Sequence, residues 1–424
     1  MLLAQLRPCP PDPVWSLVAR AAADRRPGAL DLTVGVYRDD DGRVPVMEAV
    51  ARATDRLAAR RGSKAYQGMA GNPRFTTAMT SLLLGSCERV ERAATVQTVA
   101  GTGALRLLAE LVAVASPTRR VLLGTPAYVN HVPLLRAAGL TVVTHPWTTS
   151  TGALDEAALL TAVRSARPGD VYLVQGCCHN PTGTSMSLSL WDSLATACLE
   201  AGVTPFVDMA YYGLGDGLDA DLAGLRLLVD RVPEVLVAVS ASKAFGLYSE
   251  RTGCAVVVGA SDGGAGVAAA QTVLESTARS QYSQPPGHGA ELVAEILDDD
   301  DLRSLWRAEL DGAQVRLTRL REALVAELCS RGAVSVADVV SGQRGMFLQL
   351  PLTPSQMEVL RVEHAVHGMP GGRINLAGVP ASSIERLAAA VAEISGTEVS
   401  AAGRDAVSVV CARGAVQEGQ MLHQ

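Results

Sequence analysis

Lys243 sits in the segment Ser240-Ala-Ser-Lys243-Ala-Phe-Gly246, directly after the apolar run Val235–Val239. A primary amine at a strand end can attack an aldehyde and form an imine, while hydroxyls and backbone amides beside it can receive a phosphate. Arg251, eight residues further on, is spaced to give such a phosphate a bidentate partner. A lone lysine is more often a solvated surface charge, but composition sharpens this one. Of the 37 basic residues only Lys64 and Lys243 are lysines, and the other 35 are arginines. Arginine keeps its proton in a protein and forms no imine, so a lysine retained against that bias is a better nucleophile candidate.

Asp208 ends the run Thr204-Pro-Phe-Val207. A carboxylate there can pair with a protonated ring nitrogen and make the ring a sink for carbanion electrons. It can equally be a helix cap or loop anchor. Tyr211, three residues later, can bond a ring oxygen. Asn180 lies in Gly176-Cys-Cys-His-Asn-Pro-Thr-Gly183. That segment reads as an ordinary Asn-Pro turn or as an amide meeting both a ring oxygen and a substrate carboxylate, with His179 structural. Gly101-Thr-Gly-Ala-Leu-Arg106 joins a strand to a helix, where backbone amides make a phosphate seat. It is not a dinucleotide fingerprint, because Arg106 stands where the third glycine belongs.

These residues need elements to hold them. Short apolar runs at Val96–Gly101, Arg120–Gly124, Thr141–Trp147, Val171–Gly176, Thr204–Ala210, Glu234–Ser240 and Cys254–Gly259 alternate with helical patterns. The helical patterns include Ala104–Ser116, Leu154–Ala166 and Leu188–Gly202. The alternation predicts an α/β protein with a mostly parallel sheet covered on both faces. Ligands in such sheets bind outside the carboxyl ends of the strands, where the motifs above fall. Residues 300–332 form one long helical pattern. It leads to a smaller α+β part with apolar segments at Arg344–Leu352 and Arg373–Ala377 and helices near Ser355–His367 and Ser382–Ser395. The expected organisation is a large domain over 46–305, a small one from 1–45 and 306–396, and a C-terminal extension over 397–424 with weak periodicity.

Composition excludes several classes. A net charge of −6 without a basic stripe argues against a nucleic-acid partner. The apolar run at the start is too short for a signal peptide, and no stretch has the length and apolarity of a membrane span. The eight cysteines lack zinc-like spacing, so no metal is expected and the thiols read as reduced in a cytoplasmic protein.

The joint order of Gly-Thr-Gly, Asn-Pro-x-Gly, Asp-x-Ala-Tyr and Ser-x-Ser-Lys followed by Arg resembles the aspartate and aromatic aminotransferases, class I members of the fold-type I pyridoxal-phosphate enzymes. The resemblance runs from Pro11 to about Ser395 and includes Val34-Gly-Val-Tyr-Arg38, Lys64-Ala-Tyr-Gln-Gly68, Asn130-His131, Phe245-Gly-Leu-Tyr-Ser-Glu-Arg251, Tyr282-Ser-Gln-Pro-Pro286 and Gly372-Arg-Ile-Asn-Leu-Ala-Gly378. It implies a seven-stranded sheet, pyridoxal 5'-phosphate as cofactor, and amino transfer between an acidic or aromatic L-amino acid and a 2-oxo acid.

By the same resemblance, Lys243 would join the cofactor as an imine and shuttle the proton. Asp208 would bind the ring nitrogen, Asn180 and Tyr211 the ring oxygen. Gly101, Thr102, Ser240, Ser242 and Arg251 would hold the phosphate, with Tyr66 of a second subunit. Arg373 would clamp the substrate α-carboxylate beside Gly35. Arg279 would reach across a homodimer to a side-chain carboxylate.

The pattern breaks at Tyr128, where these enzymes usually stack a tryptophan on the cofactor. It breaks also at Gln175 in place of a histidine, and at Ala100 in place of Gly or Ser. These departures keep a second outcome open, in which the same scaffold performs β- or γ-elimination, replacement or cyclisation. A regulator that binds the cofactor without turnover is disfavoured, because no helix-turn-helix segment precedes residue 30.

Overall fold

The seven apolar runs form one sheet. In the computed structural model, which describes residues 2–7, 12–260 and 264–396, the chain divides into two compact units. The larger comprises Val44–Arg319 with Gly342–Met346. The smaller gathers the described residues of Met1–Arg43, Leu320–Ser341 and Phe347–Gln424. The division falls at 319/320, within the single helix Asp300–Ser330, where 305/306 was expected. The proposed extension 397–424 lies outside the described residues.

In the larger unit the strands are β1 (Ala93–Val99), β2 (Arg120–Thr125), β3 (Thr141–Pro146), β4 (Val171–Gln175), β5 (Thr204–Met209), β6 (Val235–Ser240) and β7 (Thr252–Val258). Their order is β1-β7-β6-β5-β4-β2-β3. All neighbours are parallel except β7, which is antiparallel to β1 and β6. The link 241–251 explains this: it carries no helix, and a parallel return needs a crossover of about a dozen residues or more. Strands β6 and β7 are buried at every position, as expected for strands covered on both faces. Hydrophobic side chains on the helix Ala100–Ala115 recur at Ala104, Leu107, Leu108 and Leu111, and that stripe packs on the sheet.

This topology gathers the candidate residues at one end of the sheet. Gln175 and Asp208 are paired at the ends of β4 and β5. Ser240 ends β6, the 241–251 link carries Lys243 and Arg251, and Val99 at the end of β1 pairs with Thr252 at the start of β7. The first strand stops at Val99 and does not continue to Gly101 as expected. Ala100 takes φ 54°, bonds through its N–H to the Arg251 carbonyl at 2.9 Å, and opens the helix directly.

Gly253 lies in this crowded corner. A Cβ there would stand 2.3 Å from the Val239 carbonyl oxygen and 2.6 Å from the Ala100 carbonyl carbon, both backbone atoms. Neither can yield without breaking the β6–β7–β1 register. Gly253→Ala is therefore expected to destabilise the protein by about 3 kcal/mol or more, read as a lowered urea midpoint.

In the smaller unit, Leu30–Asp31 pairs in parallel with Val366–His367, and Phe347–Gln349 pairs antiparallel with Arg373–Asn375. Leu32, Leu324, Leu348, Leu360, Ile374 and Val391 belong to its core. The helix expected to reach His367 runs only over Pro354–His364. A Thr353/Gln356 capping box starts it, and Ala365 ends it in the left-handed conformation, which frees Val366 and His367 to pair with Leu30–Asp31. Among the described residues, no helix of either unit is long and apolar enough to cross a membrane.

Candidate active site

Asp208 is 6% exposed, and its Oδ2 lies 2.9 Å from Nε2 of His131, itself 1% exposed. A carboxylate only accepts, so His131 serves as its donor. Nδ1 of His131 has no hydrogen-bond partner among the described residues. Tyr128 meets the His131 ring edge-on at 5.3 Å and an interplanar angle of 89°. His131 is a site residue to which sequence reasoning assigns no role. Its only signal is the Asn130-His131 pair, whose histidine stands three residues after Tyr128.

Lys243 projects from the link after β6, with Nζ 4.9 Å from the centre of the Tyr211 ring. Burial pushes its pKa down to about 8; the Asp208 charge opposes that shift and the Arg251 charge adds to it. A substantial fraction of neutral amine is therefore present near physiological pH, as a nucleophile requires. Around it, Ser240 and Ser242 are buried, and the Ser242 N–H donates to the Ser240 hydroxyl at 3.2 Å. Nη1 of Arg251 donates to the Tyr248 carbonyl at 2.9 Å and to the Ser242 hydroxyl at 3.5 Å. Gly101 faces the same group: a Cβ on it would stand 3.0 Å from Cβ of Ser240. Thr102, in the same first helical turn, is exposed. Two hydroxyls, a guanidinium and a helix N-terminus thus converge as an oxyanion seat.

The Asn180 side-chain amide donates to the Tyr211 hydroxyl at 3.3 Å, joining the loop after β4 to the loop after β5. The second loop is tied down by Asp221, whose carboxylate accepts from the backbone N–H of Gly213, Gly215 and Asp216. Gln175 bonds twice to the backbone of Asn180: Nε2 donates to its carbonyl at 3.0 Å, and Oε1 accepts from its N–H at 2.9 Å. His179 stacks on Trp147 at 4.4 Å and bonds the Thr182 hydroxyl at 2.8 Å. Burial holds its pKa well below the usual histidine value, with repulsion from His131 adding to the effect. It is a neutral packing residue, in keeping with its structural reading.

Lys243, Asp208, Tyr211, Asn180, Ser240, Ser242, Arg251, Gly101 and, through His131, Tyr128 therefore share one end of the sheet. Tyr66 is 92% exposed and Arg279 also lies on the surface, its Nη1 donating to the Ser283 hydroxyl at 3.4 Å. Arg373 and Gly35 belong to the smaller unit. The Arg373 guanidinium lies 4.5 Å over the Phe347 ring and donates to the Thr33 carbonyl at 2.6 Å. Asn375 grips the adjacent loop by donating to the carbonyls of Val34 and Val36, both at 2.8 Å. Between them Gly35 leaves room for Phe347: a Cβ would stand 2.4 Å from its Cζ.

A partly neutral lysine, a buried carboxylate with a histidine donor, an amide–phenol pair and an oxyanion seat form the donor set for an aldehyde-bearing, phosphorylated heterocycle. The family model for aminotransferases of class I and II matches residues 27–391. The chain is 40% identical over 394 residues to an aromatic-amino-acid aminotransferase of Paracoccus denitrificans, spanning 93% of this chain and 100% of the relative. It is 37% identical over 389 residues to an aspartate aminotransferase of Escherichia coli (strain K12), spanning 91% and 98% of the two. A solved aromatic amino acid aminotransferase with 3-indolebutyric acid superposes with a TM-score of 0.89 at 40% identity, covering 92% of this chain and 99% of that one. An aromatic-amino-acid aminotransferase from Burkholderia pseudomallei, covalently bound to pyridoxal phosphate, superposes with a TM-score of 0.89 at 31% identity, covering 93% and 99%. This chain, an amino-acid aminotransferase, belongs to the class I and II aminotransferase family.

Proposed function

We propose that the chain binds pyridoxal 5'-phosphate through Lys243 and moves an amino group between an acidic or aromatic L-amino acid and a 2-oxo acid. The observation that carries this reading is the pairing of the partly neutral Lys243 amine with the buried Asp208–His131 couple at one sheet end. The donor set fits the cofactor group by group: Asp208 for a ring nitrogen, Asn180 and Tyr211 for a ring oxygen, and Gly101, Thr102, Ser240, Ser242 and Arg251 for a phosphate. When bound, the cofactor supplies an aldehyde and a cationic ring that delocalises electrons released at the substrate α-carbon. Nζ of Lys243 takes the α-proton and returns it. Asp208 holds a proton on the ring nitrogen, and His131 keeps the carboxylate oriented. Tyr128 covers the ring. Arg373 holds the substrate α-carboxylate beside Gly35.

Relatives named for aromatic amino acids, tyrosine and aspartate support both substrate types. In a single turnover without an added acceptor, L-glutamate or L-phenylalanine is expected to yield one 2-oxo acid per Lys243. Formation of no oxo acid from either substrate would reject the reading, as would elimination in place of oxo-acid formation from an amino acid that carries a β-leaving group.

Tyr66 and Arg279 act in the partner's site of a homodimer on this reading, and their exposure in the single chain is in keeping with that. Mixing Lys243→Ala with Arg279→Ala tests it. Each is expected to be defective alone toward L-aspartate. Re-associated, half the dimers would be hybrids with one native site of two, restoring about a quarter of wild-type activity. Absence of recovery after verified subunit exchange would place Arg279 in its own subunit's chemistry. A cytoplasmic setting is part of the proposal, and the free thiols of Cys87, Cys198 and Cys254 fit a reducing compartment.

A further inference from the structure

We propose that Gln175 is a positioning residue, which sets the strength of the hydrogen bonds to the cofactor's ring oxygen by clamping Asn180. The inference rests on the cofactor reading above. Gln175 is the last residue of β4, at the point where the ladder gives way to the turn through Gly176 and Asn180. Beyond it, the backbone N–H and carbonyl of Asn180 have left the sheet, yet Asn180 is 3% exposed and has little access to water. Buried backbone groups must be paired, and here one side chain pairs both.

A carboxamide is suited to this because its donor and acceptor lie side by side, like the N–H and C=O of a neighbouring strand. Imidazole, with its two nitrogens directed apart, cannot pair with both groups of one residue. Gln175 itself is 6% exposed, so little water competes for these bonds. The clamp fixes the Asn180 backbone, and the Asn180 side chain in turn meets the Tyr211 hydroxyl. Gln175 thus governs, without touching the ring oxygen, how well both donors are aimed at it.

The consequence is electrostatic and has a definite sign. Donors aimed at an anionic ring oxygen stabilise it and weaken its hold on a neighbouring proton. Releasing Asn180 leaves that oxygen more basic, so the adjacent nitrogen keeps its proton to higher pH. The visible absorption band of the bound cofactor reports this proton without any turnover.

The test is a pH titration of that band in holoenzyme reconstituted with pyridoxal 5'-phosphate. Gln175→Met keeps the length and Gln175→Leu the bulk, and both lose donor and acceptor without adding a charge. Each is expected to raise the midpoint by roughly half a pH unit or more. In an Asn180→Ala background, Gln175→Leu is expected to add nothing, because its route to the ring oxygen has been removed. Unchanged midpoints in the folded single variants overturn the proposal, as does a shift that adds fully to that of Asn180→Ala. Should Gln175→Leu fail to fold, Gln175→Met alone and in the Asn180→Ala background decides the matter. A wild-type chain that takes up no cofactor overturns the cofactor reading instead, which keeps the two failures distinct.

Discussion

Lys243→Ala is expected to lower kcat by about 10⁴-fold or more and to leave no cofactor fixed to the chain after borohydride reduction. The magnitude follows from the loss of two functions in one atom: covalent attachment, and proton transfer at the substrate α-carbon. Alanine also removes the buried amine without adding a polar group, so loss of folding is not the expected outcome. A residual rate within tenfold of wild type, or borohydride fixation elsewhere, would show that another amine does this work.

The pH dependence has its own sign. Burial lowers the Lys243 pKa to about 8 from the ordinary 10.5, so apo-enzyme should take up pyridoxal 5'-phosphate with a rate that rises through about pH 8. Between those two values the unfolded chain binds more protons at this position than the folded one. The contribution of Lys243 to stability therefore increases as pH rises through that window, and below it the folded state bears the full disadvantage of a buried charge.

Asp208→Asn is expected to reduce kcat/KM by between about 30-fold and about 4,000-fold, the range set by losing one member of a desolvated charged pair. Asparagine matches the shape of aspartate and still bonds His131, but carries no charge to hold a proton on the ring nitrogen. The ring then loses its capacity to delocalise negative charge. The loss should appear in the chemical step measured by rapid mixing, with substrate affinity changed much less. An equal loss in affinity with the chemical step intact would assign Asp208 to binding.

Much of the fold is legible in the amino-acid order alone. The strand–helix alternation between residues 93 and 258 is written in the apolar runs, because strands buried on both faces must be continuously apolar. The chemistry of Lys243, Asp208, Asn180 and Arg251 is legible as residue type and order, since the first three fall where a strand runs out and Arg251 follows Lys243 by eight residues. Boundaries are less legible. Val96–Gly101 reads as a strand, yet the chain turns at Ala100, where the N–H bonds back to Arg251 across the sheet and no local propensity signals it. Likewise the helix before Val366 ends early because Leu30, distant in sequence, pairs with that residue.

What the sequence by itself determined is the inventory: an α/β chain with one amine fit to form an imine, and a carboxylate, an amide and a guanidinium in the order of a known family. These depend on side-chain chemistry and on local periodicity, both of which are read one residue at a time. Only the tertiary structure decided which atoms meet. Register pairs Gln175 with Asp208, the turn after β4 puts the backbone of Asn180 within reach of the Gln175 amide, and packing seats His131 against Asp208. Such contacts join residues separated by loops and strands, and their geometry follows from the whole sheet, so no local pattern encodes them.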